Sequence, residues 1–241
     1  MSSFLRALVL VETSMAGNLG AALRVAANLG VDEVRLVSPR VDVDGEEVAR
    51  WACGARDHLR VSHHPTLSAA TADCRCLLAT ASGRGREGQP VVGPRDAVAH
   101  LRHIGAGHAA LVMGNESRGL SREDLDHCDL VVRIPTREEF PVLNVTQATA
   151  ILLGYFALEG DPGPATGPSP APAAAVEGLM GHLRTTLLDI GFLDPRNPER
   201  ILRKLRRLLG RAGVTSNEVA ILRGICRQVT WAAHRSDPGR W

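Results

Sequence analysis

Three stretches of the chain carry side chains able to bind and align a polar substrate. In the first, Glu12-Thr13-Ser14-Met15-Ala16-Gly17-Asn18-Leu19-Gly20 runs into a helical pattern that bears Arg24. In the second, Met113-Gly114-Asn115-Glu116-Ser117-Arg118-Gly119-Leu120-Ser121 sets a carboxylate between glycines. In the third, Ile134-Pro135-Thr136 is followed by Phe140-Pro141-Val142-Leu143-Asn144 and a long apolar helical pattern. Asn18 to Arg24 is six residues, under two turns, so the helix can project a guanidinium near the start of the first stretch. The second stretch sets its carboxylate just beyond an apolar, strand-like run, and glycines let a ligand approach the backbone. Each stretch also has a plain local role. Gly17 and Gly20 can make a tight turn, Glu116 can cap the short helix that follows, and Asn144 can be the N-cap of the long one.

Other chemistries lack their parts. Gly83-Arg84-Gly85-Arg86-Glu87-Gly88 matches a dinucleotide fingerprint, but Gln89-Pro90 follows where a helix should open onto the pyrophosphate. His100 and His103 share a helix face with no third ligand in view, and His63, His64 and His108 are no better placed, so no metal is expected. There is no nucleophile elbow, no Walker A loop and no recognisable Cys–His pairing. The five cysteines, at 53, 74, 76, 128 and 226, include no C-x-x-C, which argues against a disulfide framework or zinc site and fits a reducing cytoplasm. No run of about 18 apolar residues could cross a membrane. Met1–Val11 reads as a strand and not as a signal peptide.

The elements that must position these residues follow from the apolar pattern. Short runs at Leu5–Val11, Glu33–Val37, Cys76–Thr80, Ala109–Met113 and Leu130–Ile134, with a weaker one at His58–Val61, read as strands. Between them Leu19–Leu29, Gly45–Ala52, Pro94–Leu101 and Asn144–Leu158 read as helices. Alternating strands and helices predict an α/β fold with a mainly parallel sheet covered on both faces. Ligands bind such sheets beyond the carboxyl ends of the strands, where the three polar stretches lie.

Gly160–Ala175 holds five of the 14 prolines and no bulky apolar residue, the composition of an extended linker. It separates a body, residues 1–159, from a tail domain, residues 176–241. In the tail, Val176, Leu179, Met180, Leu183, Leu187 and Leu188 make one helical stripe. Ile201, Leu202, Leu205, Leu208 and Leu209 make a second, with Asn197-Pro198 as its start, and Val219, Leu222, Ile225 and Val229 make a third after a Thr215/Glu218 capping box. The 241 residues have a net charge of +2, but residues 161–241 alone carry +5. Nearly all the cations are arginines, which codon bias can explain. A basic tail suits a polyanion. Arg200, Arg203, Lys204, Arg206, Arg207 and Arg211 form its basic face, which could equally be a solvated surface. Aromatic residues are only 3% of the chain, so reading by shape and phosphate is expected over extensive base stacking.

The three stretches in this order, N-x-G-x-x-x-R, then L-V-x-G-x-E-x-x-G-L, then I-P with L-N before a long helix, resemble the SpoU/TrmH family of the SPOUT superfamily, the knotted RNA ribose methyltransferases. Asn18, Gly20 and Arg24 match its first motif. Leu111, Gly114, Glu116, Gly119 and Leu120 match its second, and Ile134, Pro135, Leu143 and Asn144 its third. The opening LVLVETSMAGNLGAALRVAANLG and the tail stretches LMGHLRTTLLDIGF, RKLRRLL and NEVAILRGI are similar to the TrmJ subgroup.

That resemblance implies a deep C-terminal trefoil knot, S-adenosylmethionine as cofactor, a homodimer, and tRNA as substrate, methylated on the ribose 2′-hydroxyl at position 32 of the anticodon loop. The apolar face of Val145–Leu158 is a candidate interface, or plain core. The resemblance places the cofactor against Thr80, Ala81, Ser82, Gly114, Ile134, Pro141, Val142 and Leu143. Its catalytic group would be Arg24, oriented by Glu116, with Asn18 and Asn144 fixing the ribose or the loops. The family discusses this arginine as the base. A guanidinium is a poor base, which makes phosphate anchoring and oxyanion stabilisation the better reading. One departure stands out: Val142 occupies the position where family members often have Ser. Two further readings stay open on that account, a ribosomal RNA methyltransferase of the same fold and an impaired RNA-binding relative.

Overall fold

The computed structural model describes residues 4–81, 89–105, 107–159 and 168–236. Ser82, the glycine motif at 83–88 and residues 160–167 of the expected linker lie outside the described residues. The chain divides into two compact units, residues 1–168 and 169–241.

In the first unit, strands β1 (Leu5–Val11), β2 (Glu33–Val37), β3 (Arg60–His64), β4 (Cys76–Thr80), β5 (Val91–Val92), β6 (Ala109–Met113) and β7 (Leu130–Val132) form one sheet. Among the described residues its order is β3-β2-β1-β6-β4-β7-β5 and every pairing is parallel. Parallel neighbours need crossovers, which here carry helices α1 (Ala16–Asn28), α2 (Glu46–Ala52), α3 (Leu67–Thr71), α4 (Pro94–Ile104) and α5 (Arg122–His127), while α6 (Val145–Leu158) follows the last strand and packs back on the sheet. Both sheet faces are thereby covered, so the central strands are apolar at successive positions and do not alternate with polar ones. Leu8, Leu10, Leu78, Leu111 and Met113 pack on one face with Leu19 and Leu23 of α1, Leu101 of α4 and Leu152 of α6. Val9, Val11, Leu77, Ala79 and Val112 pack on the other with Leu67 and Ala70 of α3.

Arg35 of β2 is an exception in that apolar setting, only 5% exposed. A buried charge must be paired. Its Nε donates to Glu33 Oε1 at 2.8 Å, its Nη2 to Asp73 Oδ2 at 2.9 Å and its Nη1 to the Ala70 carbonyl at 2.6 Å. The Arg35 hydrogen bond, against the opposing effect of burial, holds the Asp73 carboxyl well below its usual range.

The strand boundaries differ from the sequence expectation at one edge. A 3-10 turn, Ala55–His58, takes the residues expected to begin the third strand, which instead runs from Arg60 to His64. Short β5 was not expected at all, and β7 stops at Val132, which leaves Ile134 in the loop beyond it.

In the second unit, α7 (Ala173–Asp189), α8 (Glu199–Ala212) and α9 (Ser216–Ser236) surround Leu179, Met180, Leu193, Leu202, Leu209 and Val219. Residues 173–175, read from composition as linker, are already helical. The capping box at α9 forms: Glu218 N donates to Thr215 Oγ1 at 3.3 Å and Thr215 N to Glu218 Oε2 at 2.7 Å. Three expectations need correcting. Pro198 holds the N-cap position of α8 with helical dihedrals and no side-chain cap, so Asn197 does not serve as one. Leu208 and Ile225 are exposed. The buried line of α9 passes through Cys226, one position on, because 219 to 226 is two helical turns.

Candidate active site

The loops that leave β1, β6 and β7 gather beyond the carboxyl ends of those strands. The β6 loop is a tight hook in which Asn115 and Gly119 form a bridge. Gly114 makes the hook possible. A Cβ there would lie 2.2 Å from the Gly119 carbonyl carbon and 2.3 Å from Leu120 N. Asn115 holds the hook to β1. Its buried carboxamide donates to the Glu12 carbonyl at 2.7 Å and accepts from Ser117 N at 3.0 Å and Ser117 Oγ at 2.7 Å. Sequence reading gave Asn115 no role. A carboxamide beside the glycine of a strand-end loop is the only signal it offers.

Glu116 is the hub. Its Oε2 accepts from Ser14 N at 3.0 Å and Ser14 Oγ at 2.8 Å, and its Oε1 from Met15 N at 3.3 Å and Asn18 Nδ2 at 3.2 Å. Burial opposes the charge. The donors from Ser14, the residue's own backbone and Asn18 outweigh it and hold the carboxyl below the usual range. Asn18 Oδ1 accepts in turn from Asn144 Nδ2 at 3.0 Å. Asn144 Oδ1 caps α6 through Thr146 N at 2.8 Å, and Gln147 Oε1 completes the box from Asn144 N at 3.3 Å. The oxygen of the Asn144 carboxamide thus caps the helix while its nitrogen reaches Asn18.

A cleft of about 230 Å³ opens beside this hub. Thr80, Ala81, Gly114, Ile134, Pro141, Val142 and Leu143 all line it, together with Glu116 and Arg118. These are the positions singled out in sequence for a cofactor, except Ser82, which lies outside the described residues. Thr136 Oγ1 donates to the Pro141 carbonyl at 3.2 Å and pins the loop that forms one wall. Val142 puts an aliphatic side chain on that wall.

Arg24 is placed differently from the expectation. Glu116 does not orient it; the four donors to Glu116 named above come from Ser14, Met15 and Asn18. Arg24 is exposed, and its Nη1 donates to Cys53 Sγ at 3.2 Å, just past the end of α2. Asn18 and Arg24 are six positions apart on α1, about 240° around the helix, so they face different directions. In the second unit, Arg200, Lys204 and Arg211 are exposed on α8, and Arg203 and Arg207 are half-buried. Arg206 is committed to Glu177 of α7 in a bidentate pair, with Nη2 to Oε2 at 2.9 Å. Among the described residues no group of three or more His, Cys, Asp or Glu is arranged to hold a metal ion, and no helix is long and apolar enough to cross a membrane.

Residues 6–154 match the model of the SpoU rRNA Methylase family. The chain belongs to the SpoU methylase family. Residues 174–238 match a second model, that of the C-terminal domain of tRNA methyltransferase TrmJ. Among SpoU methylase relatives, the tRNA (cytidine/uridine/adenosine-2′-O-)-methyltransferase TrmJ of Pseudomonas aeruginosa is 37% identical over 233 residues, 90% of each chain. The crystal structure of TrmJ from Z. mobilis superposes with a TM-score of 0.82 at 30% identity, covering 92% of this chain and 98% of that one. An AdoMet-bound rRNA methyltransferase from Sinorhizobium meliloti shares the SpoU methylase fold at a TM-score of 0.52 and 25% identity, over 64% of this chain and 56% of that one.

Proposed function

We propose that this SpoU methylase is an S-adenosylmethionine-dependent tRNA 2′-O-ribose methyltransferase that modifies the pyrimidine at position 32 of the anticodon loop. One observation carries the reading. The hydrogen-bonded chain Glu116–Asn18–Asn144 unites the three motif loops at the mouth of the cleft.

The cleft suits the cofactor. Gly114 leaves no side chain between ligand and backbone, and Val132, Ile134, Leu143 and Ala148 offer apolar surface for an adenine. Thr80, Ala81, Gly114 and the Pro141–Leu143 segment would hold it. When bound, it supplies a methyl group activated by an adjacent sulfonium charge. The protein then has to align a ribose oxygen and manage one proton. Glu116 stays ionised at neutral pH and fixes the start of α1. Asn18 and Asn144 set the loops and can reach a sugar hydroxyl. Arg24, exposed and without a carboxylate partner among the described residues, is free to take an RNA phosphate and stabilise the developing oxyanion.

The same reading includes a trefoil-knotted backbone, a homodimer and a cytoplasmic setting. The insertion of β7 between β4 and β5 supports a threaded chain path. For the homodimer, α6 has no charged residue, yet Ile151 and Leu158 on it are exposed. The match of residues 174–238 to the TrmJ C-terminal domain favours tRNA over ribosomal RNA. Residues 1–159 would be the catalytic domain, and the basic tail, through Arg200, Lys204 and Arg211 above all, would grip the tRNA backbone.

Val142 motivates a second reading, an RNA-binding relative without activity. The Thr136–Pro141 bond supports the active one, because it holds the wall without a hydroxyl at position 142. The test is to incubate the purified protein with S-adenosylmethionine and total tRNA and map the modified ribose. Methylation at position 32 is expected. Calorimetric titration with S-adenosylmethionine separates the two readings, since an inactive relative can bind tRNA without the cofactor.

A further inference from the structure

We infer that the Trp51 indole is a stacking surface for an unpaired nucleobase of the RNA substrate, set on the face of α1 that carries Gly17, Gly20 and Arg24. This rests on the proposed function and adds a recognition residue to it.

The placement follows from how α2 packs on α1. Gly17, Gly20 and Arg24 are three and four positions apart and share one face of α1. A Cβ on Gly20 would lie 2.5 Å from the Val48 carbonyl oxygen and 2.7 Å from Trp51 Cβ, so α2 sits directly on that face. From Cβ the indole extends toward the start of α1. A Cβ on Gly17 would lie 3.2 Å from its Nε1 and 3.5 Å from Cδ1. Gly17 is the neighbour of Asn18, the central member of the hydrogen-bonded hub. At the other end of the same face Arg24 donates to Cys53, two residues beyond Trp51. The indole therefore lies along the Gly17–Gly20 face, with Arg24 one turn further on.

Its surroundings suit a base. Trp51 is 52% exposed, so one side packs on α1 and much of the ring meets solvent. Its indole N–H has no acceptor among the described residues. Arg24 lies further along the same face of α1, while Glu47, four positions before Trp51, shares its side of α2. An open aromatic ring on the face that carries the exposed Arg24 fits a nucleotide, whose base stacks while its phosphate is neutralised. A single ring here is compatible with a chain poor in aromatic residues: phosphate contacts supply most of the affinity and the stack selects the splayed base.

The test compares Trp51→Ala and Trp51→Phe with wild type in the full-length protein, using total tRNA as probe. Direct tRNA binding, KM and kcat for methylation, S-adenosylmethionine affinity and sedimentation are read for each. Trp51→Ala should weaken tRNA binding and raise KM about 10-fold, more than it lowers kcat, with cofactor affinity unchanged. Trp51→Phe keeps the packing on Gly17 and should recover most of the loss. Unchanged binding and KM in the alanine variant would overturn the inference. So would dissociation of copies in that variant, which would mean that the ring is covered by protein. A wild-type protein that binds tRNA without methylating it would sink the functional reading alone and leave the binding comparison intact.

Discussion

Asn144 donates to Asn18 at 3.0 Å across 126 positions of sequence. The bond joins the cap of α6 to the first turn of α1, and through Asn18 it reaches Glu116. Two helices and one strand-end loop are therefore held by three polar side chains with no charge–charge contact among them. A shared network of this kind couples its members energetically.

Replacing Asn144 with Ala removes an N-cap and should cost about 1 kcal/mol of folding stability. Asn18→Ala loses the bonds to Glu116 and Asn144 together. The double variant should be less destabilised than the sum of the single ones by about 0.5 kcal/mol or more. Urea denaturation of the four proteins measures this, and strict additivity would refute the coupling.

Gly114→Ala should be far more damaging than an ordinary loop substitution. The new methyl group meets backbone, not a flexible side chain, so the hook must open. A loss of about 1–3 kcal/mol in stability and of at least about tenfold in S-adenosylmethionine affinity is expected. Thermal unfolding and calorimetry check the two effects.

Acid should destabilise the first unit through identifiable groups. Glu116 and Asp73 are both held below their ordinary values of 4.5 and 3.8. The folded state therefore binds their protons less readily than the unfolded chain. Their stabilisation is complete above those values and is lost as pH falls through them toward the lower folded-state values. Asp73→Asn should lower stability at neutral pH, because Arg35 loses a charged partner, and should flatten the acid limb. Denaturation midpoints across a pH series decide the matter, and an acid limb as steep as wild type would rule Asp73 out as a source.

Arg24→Ala and Arg24→Lys should both slow single-turnover methyl transfer, by about 100-fold for Ala and less for Lys. Cofactor affinity should not change, since Arg24 does not line the cleft. Wild-type rates in both variants would remove Arg24 from the chemistry.

The basic helix separates into two kinds of cation. Lys204→Glu with Arg211→Glu should weaken tRNA binding and reduce its salt dependence, with little effect on folding. Arg206→Ala should instead destabilise the second unit by about 1 kcal/mol, because it removes the bidentate guanidinium from the half-buried Glu177. Filter binding over a salt series and thermal melts distinguish the two.

Much of this arrangement is legible in the residues. The central strands β1, β4 and β6 announce themselves as apolar runs because both of their faces are buried. Edge strands do not. Arg60–His64 is polar and half-exposed, and Val91–Val92 is too short to carry a period. The convergence of the three loops is readable only through their combination, since the local roles of Gly114 in a turn and Asn144 as a cap are real as well, whereas the short helix α5 is capped by Ser121 and Asp124 and not by Glu116. What Glu116 holds could not be read. A carboxylate one residue from a glycine hook is equally able to face a guanidinium or a helix start, and the fold turned it to Ser14 and Asn18. Trp51 gave no signal, because its position depends on the absent side chains of two glycines on another helix.

The long spans bridged by the hub bear on how the protein comes into being. Ser14 meets its carboxylate partner 102 positions later, and Asn18 meets Asn144 later still. During synthesis the earliest motif therefore emerges with nothing to hold it. Until the last helix of the first unit has been made and docked, a half-finished chain has its strands but no grip. Competence would arrive in one step, near the end of that unit's translation.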